Sequence, residues 1–167
     1  VQVFLHRRKY DEVAASLTDL QAKGMRSEDL LLLQSLLNLR TGKVRDAIYA
    51  LTNSPDSPQK HYGLALAAIV EETHDAAKEE LTKVIEGFEP LLRGNAQILR
   101  KAYDEFETFP NSTPLHLTTL LARGLALVNE CELALPLLSR VIGKMSEYRD
   151  AWIVQGYCEL TTERPEQ

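Results

Sequence analysis

Along this chain apolar residues return every three or four positions, and short polar breaks separate the runs. No stretch alternates apolar and polar residues as a half-buried strand does, so the pattern predicts helices. Leu30 to Leu39 reads as one helix, Thr41-Gly42 as a break, and Val44 onward as a second helix. Leu120 to Val141 reads the same way, two helices around a polar break at Asn129-Glu130. Between Gly87 and Pro114 lies an additional stretch. Glu89-Pro90 can start a helix there, since proline at the first helical position loses no needed hydrogen bond. Ala96, Leu99, Tyr103 and Phe106 form its amphipathic stripe, and Phe109-Pro110-Asn111-Ser112 ends it. An inserted helix fits this stretch, and so does a preceding helix prolonged and kinked near Gly94.

The runs also repeat. An alanine followed four residues later by leucine occurs at Ala47/Leu51, Ala77/Leu81 and Ala134/Leu138, with Val13 and Leu17 at the same places near the start, after Tyr10. Val13 and Ala47 stand 34 residues apart, Ala47 and Ala77 30 apart, and Ala77 and Ala134 57 apart. The contraction falls across Ser54-Pro55-Asp56-Ser57-Pro58, and the longest interval holds the additional stretch. Trp152 and Gly156, with Ala151 just before, add a W-x3-G spacing in phase with the rest. A non-repetitive bundle would also contain Leu/Ala-rich amphipathic helices, but nothing in it requires the Ala-x3-Leu pair to return at a fixed period.

These features resemble the tetratricopeptide repeat, a pair of antiparallel helices in about 34 residues. The resemblance implies an all-α fold, a right-handed superhelical α-solenoid of antiparallel helix pairs with one irregular inserted helix. It divides a single domain into a partial repeat (1–26), two repeats (27–57 and 58–87), a helical insertion (88–113), a repeat (114–148) and a partial repeat (149–167). Val1 to Arg8 then reads as the second half of a helix, and Thr161 to Gln167 as a turn leading into another. Neither end shows a polar capping helix, so further repeats are expected to flank the chain.

In this family the first helix of each pair lines a concave groove. Carried onto this sequence, the groove positions are Asp29, Leu32, Leu36 and Leu39, then Gln59, Tyr62, Leu66 and Ile69, then His116, Thr119, Arg123 and Ala126, and lastly Asp150, Ile153, Tyr157 and Leu160. A groove of this kind suits a helix or hydrophobic peptide of a protein partner. Tyr62, Arg123 and Tyr157 are the side-chain types most often found at hot spots. Family members that bind acidic chaperone tails use a Lys and Asn clamp; Leu32 and Leu36 stand where its first pair would be, which argues against that role. Leu32, Leu36 and Leu39 are equally suited to packing against the inserted helix or a further repeat. The expected function is a non-catalytic protein-interaction scaffold, with self-association or an auxiliary role beside an enzyme as alternatives.

Charge and chemistry narrow this further. The 24 acidic and 19 basic residues give a net charge of −5, which offers no basic surface for nucleic acid. The one basic run, His6-Arg7-Arg8-Lys9, precedes Asp11-Glu12 and reads as a solvated helix end. No stretch approaches the roughly 20 apolar residues of a membrane span. The chain begins at Val1, so a targeting segment could precede it, and a cytoplasmic setting is favoured. Cys131 and Cys158 each sit in an apolar helical pattern and are expected as buried thiols rather than a disulfide.

His6, His61, His74 and His116 fall in separate segments without metal-ligand spacing, so no metal or cofactor is expected. Asp75 reads as a helix N-cap. The acidic pairs Glu71-Glu72, Glu79-Glu80 and Glu105/Glu107, near Lys78 and Lys83, read as solvated helix surface. No phosphate loop or nucleophile elbow occurs. Catalysis is not expected.

Overall fold

The computed structural model describes residues 10–163. Val1 to Arg8 and the chain beyond Glu163 lie outside the described residues, as do the side chains of Tyr10 and Val13. Among the described residues are nine α-helices and no strand. In chain order they are α1 (Tyr10–Ala22), α2 (Ser27–Arg40), α3 (Val44–Thr52), α4 (Pro58–Val70), α5 (His74–Glu86), α6 (Pro90–Thr108), α7 (Pro114–Leu127), α8 (Cys131–Lys144) and α9 (Arg149–Glu163). The chain divides into two compact units, Val1–Arg93 and Gly94–Gln167, and the division falls inside α6.

Local chemistry sets the helix ends. Ser57 and Thr113 each cap a helix that opens with proline: Lys60 N–H donates to Ser57 Oγ at 3.1 Å, and His116 N–H to Thr113 Oγ1 at 3.3 Å. Thr73, not Asp75, stands before α5, and Asp75 lies within its first turn. The expected Asp75 cap is therefore corrected; the Thr73 hydroxyl donates back to Ala68 O at 3.3 Å instead.

Four turns share one geometry. After α1, α2, α4 and α7, the second residue past the helix is left-handed: Gly24 (φ 81°), Gly42 (φ 81°), Glu72 (φ 59°) and Asn129 (φ 64°). The next residue then donates its N–H five positions back, Met25 to Leu20 O at 3.2 Å, Lys43 to Asn38 O at 2.8 Å, Thr73 to Ala68 O at 2.9 Å and Glu130 to Leu125 O at 2.8 Å. This bonding satisfies the last carbonyls of a helix and reverses the chain. Only at Gly24 and Gly42 does the residue type remove the steric penalty of the left-handed region.

Each unit packs by the same rule. In the first, α2 packs on α3 and α4, α3 on α4, α4 on α5, and α1 on α2. In the second, α7 packs on α8 and α9, and α8 on α9. Ala47, Leu51, Ala77, Leu81, Ala134 and Leu138 are all fully buried. Alanine admits a neighbouring helix closely, and leucine fills the space beside it. Gly63 serves the same end in α4: a Cβ there would stand 2.9 Å from both methyls of buried Leu51. The stretch after Gly87 forms a separate helix, α6, rather than a prolonged α5, with Ala96, Leu99 and Tyr103 buried and Phe106 half-buried. Thr161–Glu163 continue α9, so the expected turn at Thr161 is corrected. No described helix is long and apolar enough to cross a membrane.

Candidate functional site

Within the Gly94–Gln167 unit, α7, the turn after α8 and the start of α9 enclose a cavity of about 210 Å³. From α7 it is lined by His116, Thr119, Leu120 and Arg123. Tyr148 contributes from the turn, and Asp150, Ile153 and Val154 from α9. Five of the expected groove residues, His116, Thr119, Arg123, Asp150 and Ile153, thus surround one space. The spacing of three to four residues puts the α7 set on one face, and the Thr113 cap fixes where that face begins.

Each polar group has a definite environment. Arg123 Nη2 donates to Glu105 on α6. The His116 ring meets Phe106 edge-on at 6.2 Å and the tilted ring of Phe109 at 5.4 Å. Thr119 is buried and its hydroxyl donates to Leu115 O at 2.9 Å. Burial pushes the Tyr148 phenol up from its ordinary value, and the neighbouring Asp150 carboxylate pushes in the same direction. The phenol is therefore neutral at neutral pH, able to donate or accept a hydrogen bond.

The outer face of α9 continues from the cavity. Ile153, Tyr157 and Leu160 follow one another at helical spacing and are each more than half exposed. Ala151, Val154 and Cys158 form the buried face opposite. Trp152 is 49% exposed, its indole N–H donating to Ser146 O at 2.7 Å, and a Cβ on Gly156 would meet nothing within 4 Å.

A disulfide joins Cys131, the first residue of α8, to Cys158 in the third turn of α9, with Cα atoms 5.2 Å apart. The expected pair of buried thiols is corrected. Antiparallel packing of α8 on α9 sets the start of one against the later turns of the other, a relation that 27 residues of intervening sequence do not reveal.

In the first unit the expected groove residues lie elsewhere. Leu36, Leu39, Tyr62, Leu66 and Ile69 are buried in the core, and Asp29 and Leu32 are half-exposed. Side chains already covered by the chain itself have no surface left to offer a partner, so Tyr62 as an open aromatic anchor is corrected. Gln59 is buried too, its amide donating to Asp29 Oδ1 at 3.0 Å, which ties equivalent positions of α2 and α4 together. Ala126 of α7 is also buried.

The remaining polar groups are mostly spent on structure. His61 places Nδ1 2.6 Å from Glu80 and Nε2 2.6 Å from Asp56. Lys83 reaches both Glu79 and Glu80 at 3.0 Å. Glu80 and Glu105 are thus engaged between helices rather than simply solvated. No group of three or more potential metal ligands occurs among the described residues. The sequence reading missed Tyr148 as part of the site; it lies in a turn, where helical periodicity carries no signal. Comparison with known protein families, curated proteins and solved structures returned no match.

Proposed function

We propose that the chain is a non-catalytic interaction module of stacked, tetratricopeptide-like helix pairs, and that the groove between α7 and α9 holds a segment of a protein partner. Of the four matching turns, those after α2, α4 and α7 each join the two helices of a pair, which supports the repeat. Burial of the Ala-x3-Leu residues supports it as well. One observation carries the binding site: the cavity opens beside the exposed row Ile153, Tyr157 and Leu160. An apolar row beside a pocket with a few polar groups is the form taken by surfaces that dock peptides.

The test is selection of a displayed library of random linear peptides on the intact chain, followed by calorimetry. Leu160→Asp alters an exposed position and leaves the core untouched. The expected result is an enriched peptide family that binds the Leu160→Asp chain at least about fivefold more weakly, the loss typical of a contributing interface residue. Peptides that bind both chains equally, or no enrichment at all, would overturn the assignment.

A further inference from the structure

We infer that the cavity between α7 and α9 receives a lysine or arginine side chain from the partner segment. This rests on the docking face proposed above and specifies the chemistry of its anchor. At about 210 Å³ the cavity is smaller than the roughly 300–1,000 Å³ of small-molecule sites. It has room for one long side chain of a segment held elsewhere.

The lining describes that side chain. Leu120, Ile153 and Val154 supply apolar contact for an aliphatic stem. At the rim, the exposed Asp150 carboxylate forms no ion pair among the described residues, and Tyr148 lines the same cavity. The only cation in the lining, Arg123, is already paired with Glu105. The charge left for a ligand is therefore the negative one. A long apolar stem ending in a cation is the structure of lysine and arginine. Their heads can form charge-assisted hydrogen bonds to the carboxylate and the phenol oxygen. An acidic side chain would instead meet Asp150 as a like charge, with Arg123 engaged elsewhere.

The peptides selected on the intact chain serve as probes. They are expected to carry a conserved Lys or Arg, and replacing it by norleucine should weaken binding about tenfold. Asp150→Asn should lower affinity for the basic peptide by a similar factor while leaving the norleucine peptide unchanged. Tyr148→Phe, which removes only the phenol oxygen and changes no charge, should give a smaller loss confined to the basic peptide. Added salt should weaken the basic peptide more than its norleucine analogue. Peptides that require Leu160 yet show no preference for Lys or Arg, or that bind Asp150→Asn unchanged, overturn the basic anchor and leave the docking face standing. Enrichment of Asp or Glu overturns it likewise. If no peptide depends on Leu160, the docking face falls and the anchor falls with it.

Discussion

Reducing the bond between Cys131 and Cys158 tests the coupling of α8 to α9 directly. The bond closes a loop with a sequence separation of 27. In the chain-entropy treatment, closing a loop of that length lowers the entropy of the unfolded chain by about 12 cal/mol/K, or about 3.5 kcal/mol at 25 °C. Both cysteines are buried, Cys158 completely, so the oxidised bond is protected from solvent in the native state. The measurement is urea unfolding of the oxidised chain, the reduced chain and the Cys131→Ala/Cys158→Ala variant, followed by circular dichroism. Reduction is expected to cost about 3.5 kcal/mol in the transition that carries the Gly94–Gln167 unit. The double alanine variant is expected to lose at least as much, since each substitution also removes a buried sulfur. A loss below about 1 kcal/mol would refute the loop argument. Two free thiols titrating in the denatured, unreduced chain would refute the pairing itself.

Three other outcomes follow from the packing, the turns and a histidine. Gly63→Ala is expected to destabilise by about 1–3 kcal/mol because the new methyl overlaps buried Leu51, whereas Gly156→Ala, in open space, should stabilise by roughly 0.5–1 kcal/mol; thermal unfolding of both variants checks the contrast. Glu72→Gly should raise stability by about 1 kcal/mol in urea, since it relieves a left-handed residue at the turn where Gly42 serves elsewhere. Burial lowers the pKa of His74, with Lys78 acting in the same direction. The unfolded chain then binds the proton more readily. The contribution is full above about pH 6.5 and is lost as the pH falls through that value toward the lower native one. His74→Gln should flatten this part of the stability profile, and an unchanged profile would exclude His74 as its source.

Much of the architecture could be read from residue order because local chemistry determines it. Pro90 starts its helix in both the pattern and the structure, Thr41-Gly42 and Asn129-Glu130 end theirs, and the Ala-x3-Leu residues all reach the core. The site was less legible. Helices α2 and α4 pack on several neighbours at once and are apolar around much of their circumference. Periodicity then cannot tell a groove leucine from a core leucine, which is why Leu36, Leu39, Tyr62, Leu66 and Ile69 read as surface and are buried. In α7 and α9 the polar residues His116, Thr119, Arg123 and Asp150 break that uniformity, and there the reading and the cavity coincide. The disulfide and Tyr148 depend on how helices and turns meet in space, and neither leaves a mark in the spacing of residues.

Trp152 is the single tryptophan of the chain, half exposed on α9 one residue from Ile153, with its indole held to Ser146. The protein therefore carries an intrinsic fluorophore beside the groove. Its emission colour and its access to a soluble quencher report on the hydration of this one helix, with no overlapping signal from another indole. A segment lying along Ile153 and Tyr157 would shield that ring from quencher. Melting of α9 away from the α8–α9 turn would expose it fully, so occupancy and local unfolding move the same optical signal in opposite directions.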